Sequence, residues 1–544
     1  MNYFQVILPL RLSWMPYYAS EEPVSPGERV RLLFSGREYV AVVALITDRP
    51  EVDIARIRPI ISVERSLEPV GAQELAFWQF LADYTLCTLG EVYHCAYPAT
   101  RTDAELRKAR NHPAAAHDLH PRLDPGAKET LKALLAGFDE GKPVLLQGGG
   151  REKLYSSLIH RCLDEGKSAL LLAPGREAEA WEGSARIYTA SASASARRDI
   201  ANAVRNGGPV FVAGGPAALL LPWTTLGLII VDAEESPLHR REMTAPRFNA
   251  RDAAVWLAQH IGAPILLGSD FPSMESAHNA GCGKYIKVCT PAAPAAIPQI
   301  VDTTAEKGKN GMNGSFSLKL LARMREAFDA RERVLLLLPW NDTDNIEIEA
   351  RALFPKAATR LTVLPLRKAA PAVLAKYSLA ALLAAEFMLK GEDFRTDEKA
   401  FRALSGLCRM AGESQLLVQC SQAGHPVLQA LLSPTEAEAL PSLLLRERAQ
   451  AGLPPYSRIV DVVFSDKNEK RLRWFLGEVA ERLAALPLLP VQEVKIQSGR
   501  ERIRIILPRN ASLSARKQGI YGAVTAFCTE RSYASHLTLE VDPL

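Results

Sequence analysis

Two short stretches hold residues whose types and spacing are those of nucleotide chemistry. "LLQGGGREKLY" at 145–155 sets Gly148, Gly149 and Gly150 between an apolar run and a helix-like stretch. The backbone N–H groups of such a turn can cradle phosphates. A lysine must also reach the β- and γ-phosphates, and a Ser or Thr hydroxyl must hold magnesium. Here Arg151 stands at the lysine position and Glu152 at the hydroxyl position. The turn is also shorter than GxxxxGK[ST], so a Gly-rich helix cap with no ligand is the plain alternative. "LGLIIVDAEES" at 226–236 runs an apolar strand pattern into Asp232, Ala233, Glu234 and Glu235. An aspartate for magnesium followed by a glutamate for water is the motor arrangement, and alanine at 233 removes the second of these. Glu234 is the candidate substitute, although adjacent side chains on a strand end point in different directions.

The elements that must position these stretches follow from periodicity. From 126 onwards helical stretches alternate with continuous apolar runs, "PVLLQ", "SALLLAP", "PVFVAG", "LGLIIVD" and "PILLGS". Apolar continuity, rather than alternation, predicts parallel strands covered by helices on both faces. A second such block holds "RVLLLLP", "RLTVLP" and "LLVQC". Residues 1–99 are strand-rich, with "SPGE" and "SGRE" turns, and then carry the helical "AQELAFWQFLADYTLC". Residues 431–544 read as a small α+β domain.

The 544 residues suffice for three or four domains, and 48% hydrophobic with 23% charged residues is ordinary for a soluble globular chain. A net charge of +4 does not by itself indicate a nucleic-acid partner. The eight cysteines form no Cys-x-x-Cys pair, so neither zinc nor a disulfide framework is expected. "MNYFQVILPL" lacks a basic residue before its apolar run, and "SLAALLAAEFML" at 378–389 is too short to span a bilayer. The expectation is a cytoplasmic protein with no membrane association.

Two α/β blocks in tandem, the first with a Gly-rich turn and an acidic strand end, outline a helicase-type core. The order of further motifs is more specific. "FWQFLADYTLCTLGEVYHCAYP" (77–98), "LGLIIVDAEES", "APRFNARDAAVW" (245–256), "LLGSDFPSMES" (266–276), "GLPPYSRIV" (452–460) and the terminal "LEVDPL" follow one another along the chain. In this order they resemble the primosomal protein N′ (PriA) family of replication-restart DNA helicases. The resemblance implies a multidomain α/β protein in five parts. These are a β-rich 3′-end DNA-binding domain (1–99), a linker in place of a winged helix (100–122), two RecA-like lobes (123–290 and 291–430) and a C-terminal α+β domain (431–544). It implies DNA as partner, forked, single-stranded or at 3′ ends, with primosome or single-strand-binding proteins as further candidates.

Several departures from the family concern the motor. Ala127 replaces a glutamine suited to reading adenine, and "GSDF" replaces "GSAT". "SGLCRMAGES" (405–414) replaces "QVAGRAGR", leaving Met410 and Glu413 for two arginines and Arg409 one position away. The family's zinc insertion has no counterpart in "LLLLPWNDTDNIEIEARALFP". The sequence therefore predicts a DNA-binding protein whose ATPase is inactive and which needs no cofactor. Asp232, Glu234 and Arg409 are then vestigial catalytic positions, and Gly148 to Glu152 a vestigial nucleotide loop. A working 3′→5′ helicase using ATP and magnesium, or an interaction module outside replication, are the alternatives. For DNA, "WMPYYAS" (14–20) aligns with the family's end-binding pocket. Tyr18 keeps a tyrosine, Tyr17 replaces an aspartate and Arg58 replaces a lysine, so the rings either stack on a DNA strand beside that cation or merely close a small barrel. Arg500, Arg502 and Arg504 share one strand face, either as a phosphate-tracking strip or as a solvated surface.

Overall fold

The computed structural model describes residues 2–98, 121–189, 191–291, 295–391, 393–412, 414–486, 491–497, 500–530 and 536–543, the last strands of this set partly by backbone alone. Most of the predicted linker, 99–120, and Glu413 lie outside the described residues. The chain divides into two compact units. The first comprises 1–272, 279–290 and 454–544, and the second 273–278 and 291–453.

In the first unit the N-terminal strands Asn2–Ile7, Tyr17–Ser20, Arg29–Phe34 and Arg37–Thr47 form an antiparallel sheet extended by two short edge pieces, Arg58–Pro59 and Ser62–Val63. Alternation drives its curl: Phe4, Val6, Val30, Leu32, Ala41 and Val43 point inward and are fully buried. The segment 58–63 touches both edges, since the Ile60 N–H donates to Ala19 O (3.0 Å) and the Ile61 N–H to Arg31 O (2.7 Å). The sheet thereby closes into a small barrel, which leaves few unpaired edge groups. The helix Ala72–Thr85 follows. It buries Phe77, Trp78, Leu81 and Ala82 on one face, and it ends where Leu86 takes a left-handed conformation (φ 56°). Its outer ring Phe80 stacks on Trp256 with centroids 4.4 Å apart, which joins this region to the α/β block.

That block is a seven-stranded, wholly parallel sheet in the order Ile286–Cys289, Val144–Gln147, Ile265–Ser269, Leu226–Val231, Ser168–Leu172, Phe211–Gly214, Arg186–Tyr188. Its central strands are buried on both faces, as their uninterrupted apolar runs require. The strands Ser457–Ser465, Val491–Gln497, Arg500–Pro508 and Leu537–Val541 make a four-stranded antiparallel sheet. Helices Glu469–Ala484 and Leu513–Glu530 pack over it, completing the unit.

The second unit holds a five-stranded parallel sheet in the order Gln299–Asp302, Gln415–Cys420, Leu379–Leu382, Val334–Leu338, Leu361–Pro365. Two predicted boundaries need correction. The helix Pro434–Gln450, assigned from sequence to the C-terminal domain beginning at 431, belongs to this second unit. The reason is Arg448, which is buried against Glu398 (2.6 Å) of the helix Thr396–Ala411. Ser273–His278, placed by sequence in the first lobe, also goes with the second unit, where Glu275 lies 3.7 Å from Arg395. Among the described residues no helix is long and apolar enough to cross a membrane.

Candidate functional site

The Gly-rich turn sits where the parallel sheet delivers it, between the strand Val144–Gln147 and the helix Arg151–Asp164. Gly148 has φ 122°, and a Cβ there would collide with the Thr290 side chain, so only glycine fits. The loop is held from outside, with Thr290 Oγ1 donating to Gly149 O at 3.0 Å.

Arg151 does not point outward toward a ligand. Its guanidinium lies 3.0 Å from Asp232 Oδ1 and 2.6 Å from Asp270 Oδ1, and it also donates to Gly148 O at 2.5 Å. The Tyr155 hydroxyl, one helical turn on, donates to the same Asp232 oxygen at 2.7 Å and accepts from Arg151 Nε at 3.0 Å. Tyr155 covers the strand end so closely that a Cβ on Gly268 would overlap its hydroxyl. Burial alone would lower the Arg151 pKa, but Tyr155, Asp232 and Asp270 outweigh it and the guanidinium is held more firmly charged than usual. Burial, then the charge of Asp232, raise the Tyr155 phenol well above its usual range. Glu177 faces the same place, its carboxyl raised by burial and by Asp232. Three carboxylates thus surround a single guanidinium. These residues do not fit a magnesium nucleotide: the magnesium-type aspartate is already neutralised internally, and phosphates would meet an acidic site. Glu152 adds another carboxylate in the first turn of the helix, where a phosphate would lie.

Beyond Asp232 the strand end turns sharply. Ala233 is left-handed (φ 46°), which swings Glu234 into the interior. Glu234 is fully buried and pairs with Arg251 at 3.2 Å, so it does not stand in for the absent water-activating glutamate. Glu235 accepts from Ser269 Oγ at 2.6 Å, and buried His239 Nε2 donates to the Asp232 carbonyl at 2.7 Å. Arg251 continues to Asp252 (2.8 Å), which accepts from the Tyr84 hydroxyl (2.7 Å) and faces Arg458, itself bound to Asp542. Burial would raise the Asp252 pKa, but Arg251, Arg458 and Tyr84 hold its carboxyl well below the usual range. The acidic strand end is thus the start of an ionic brace that ties the α/β block to the helix Ala72–Thr85 and to the C-terminal sheet. Arg409 lies half-buried in the last turn of Thr396–Ala411 in the second unit.

The DNA-binding candidates divide. Tyr18 is a core residue: it is 4% exposed, and its hydroxyl donates to Leu33 O at 2.8 Å. The expectation that it stacks on a base is therefore corrected, because alternation sends it inward with Phe4, its register partner. Tyr17 is half-buried, and Arg58, in register with Tyr18 on the neighbouring strand, is exposed. Trp14, which the sequence reading passed over, is 57% exposed and rests against Phe34 with ring centroids 6.3 Å apart. At the other end of the chain, Arg502 and Arg504 share a face as predicted but close on Asp461, at 3.3 and 2.8 Å. Asp461 is in register with Arg504 and is 1% exposed. The strip is thus largely an internal ion-pair ladder, which neither sequence reading foresaw. Arg500 begins the same strand, and its side chain lies outside the described residues.

Comparison with known proteins matches residues 5–98 to the 3′DNA-binding domain (3′BD) of PriA. The replication restart protein PriA of Rickettsia conorii is 24% identical over 355 residues, 62% of this chain and 54% of that protein. PriA of Chlamydia pneumoniae is 29% identical over 41% of this chain and 32% of its own length, and that of Bacillus subtilis 27% identical over 39% and 27%. The chain spans about half the length, or less, of these curated relatives. Among solved structures, the E. coli DExH-box NTPase HrpB overlaps 68% of this chain and 50% of its own at 13% identity, with a TM-score of 0.35. Residues 5–98 thus match the 3′DNA-binding domain of PriA, and over up to 62% of its length the chain is similar to replication restart PriA proteins.

Proposed function

We propose that this protein binds DNA ends and forked or single-stranded DNA in replication restart, without an ATP-driven motor and without a metal cofactor. The observation that carries the reading is Arg151, whose guanidinium bridges Asp232 and Asp270 across the place where magnesium and phosphates would sit. Phosphoryl transfer depends on positioned charge, so a site that neutralises its own metal ligand and lacks a water-positioning carboxylate loses the chemistry at its source. The parallel sheets are kept because burial of their apolar runs supports them independently of catalysis. DNA binding rests on the N-terminal domain match and on the exposed cation and aromatic at one end of its barrel.

The test is ATP turnover with forked DNA, alongside fork binding by the same preparation. Binding without DNA-stimulated hydrolysis is expected, with turnover roughly 10³-fold or more below the ~1–10³ s⁻¹ of working enzymes. Turnover near 1 s⁻¹ would restore the helicase reading. Absence of binding at low salt would point instead to an interaction module.

A further inference from the structure

The barrel has two ends, and strand direction decides what each one presents. The strands Asn2–Ile7 and Arg29–Phe34 end, and Tyr17–Ser20 and Arg37–Thr47 begin, on the same side, because neighbours are antiparallel. The loop carrying Trp14 joins the first two strands in sequence, and the tight turn beside Phe34 joins the other two, so both open on this end. Arg58 belongs here as well, since its short strand runs parallel to Tyr17–Ser20 with Arg58 opposite Tyr18. Arg37 begins the last strand and is exposed, and its neighbour Glu38 faces Arg31 at 3.8 Å.

A tryptophan left 57% exposed while braced by a second ring gains little for the fold from its own burial. It presents a large π-face that is already held in place, so little side-chain entropy remains to be lost on contact. Cations on the same rim favour a polyanion over an apolar peptide. We propose that Trp14, standing on Phe34, is the platform on which the terminal base of a DNA strand stacks, while Arg58 and Arg37 face the adjoining phosphates. This rests on the DNA-binding reading above and deepens it: recognition is of the unpaired terminal base, through a residue outside the Tyr17–Tyr18 pair.

The experiment uses the full chain and a labelled duplex with a recessed 3′ strand whose last nucleotide is unpaired, being either a mismatched normal nucleotide or an abasic tetrahydrofuran residue. Trp14→Ala should weaken binding to the normal end by about 5- to 150-fold, the range for losing one aromatic–base stack. Trp14→Phe should recover most of that loss. On the abasic end Trp14→Ala should change little, because the stack is already gone. An unchanged thermal midpoint is expected for both variants, since the ring lies outside the core. Wild-type affinity in Trp14→Ala, or an equal loss on both ends, overturns the platform while leaving DNA binding in place. A wild-type chain that binds neither end overturns the DNA-binding reading, and the platform with it.

Discussion

The two arginines that stand where the family has lysines have met opposite fates. Arg58, on the rim of the barrel, is exposed, and among the described residues no carboxylate pairs with it. Arg151, in the Gly-rich site, is enclosed by Asp232, Asp270, Tyr155 and a backbone carbonyl. Both are permanently charged forks, so residue type cannot distinguish them. Their surroundings do. A cation whose donors are already used contributes to stability, while one with idle donors can meet a ligand. The carboxylates follow the same division. Tyr17 replaces an acid at the open site, whereas the closed site gains Glu152 and Asp270. On the proposed function, negative charge is reduced where DNA would approach and gathered where nucleotide phosphates would lie.

Removing Arg151 is the most direct way to break this contrast. Arg151→Ala should lower stability by about 3 kcal/mol, the low end for deleting one member of a buried pair, since Asp232 and Asp270 are each about a quarter exposed. Arg151→Lys should recover part of the loss, because it keeps the charge but cannot reach both carboxylates bidentately. Denaturant unfolding measures both variants, and ATP with magnesium should stabilise neither. A fully stable Arg151→Ala protein would mean that the clamp holds nothing together.

The closed regions should also show in the response to alkali. Burial, the largest influence, pushes the Cys87 thiol up to about 12, and Cys162, Cys408, Cys420 and Cys528 to about 11, against a reference of 9.0. Folded-state values raised above unfolded ones give stability that is intact below pH 9 and lost as pH rises, because the unfolded chain releases these protons first. Cys87 alone contributes a slope of about 1.4 kcal/mol per pH unit above 9, falling off toward 12. Thermal midpoints measured at pH 8, 9 and 10 should fall in that order, with a shallower fall in Cys87→Ala. An unaltered slope in that variant would show that Cys87 is more accessible than its packing implies.

Much of this architecture was legible in the sequence, because continuous apolar runs such as Leu226 to Val231 admit few placements other than a parallel sheet. The changed motor residues were legible for the same reason: Ala233 and Arg151 stand at fixed offsets from those strands. What Arg151 does with its charge was not, since Asp232 and Asp270 lie 81 and 119 residues away and only the folded sheet brings them together. Alternation correctly put Arg502 and Arg504 on one face, yet the acid across the strand pair, Asp461, is a fact of register. Tyr17 and Tyr18 show the same limit on a smaller scale. Period two says that they face opposite sides, but which side is the core depends on how the sheet curls. Trp14 lies outside any periodic segment, so its exposure had no sequence signal at all.

The smallest expected effects sharpen the open side of the contrast. Arg58→Ala should reduce affinity for forks and tailed duplexes alike, by severalfold at low salt, because a phosphate contact carries no sequence or structure preference. It should also make the slope of log affinity against log salt shallower by about 0.7–0.9, the release of roughly one counterion. Beside that loss, the end group itself should matter least. A carboxylate recognises a terminal hydroxyl by accepting its hydrogen bond and repels a terminal phosphate, and Tyr17 brings no charge with which to do the second. Titrating the same recessed duplex ended in a 3′-hydroxyl or a 3′-phosphate should therefore give nearly equal affinities. In Arg58→Ala any small advantage of the phosphate should shrink, since Arg37 is then the remaining cation of the pair on that rim. A strong preference for the hydroxyl would mean that another acceptor at the barrel mouth has taken over the acid's work, and the loss of negative charge there would no longer separate the two sites.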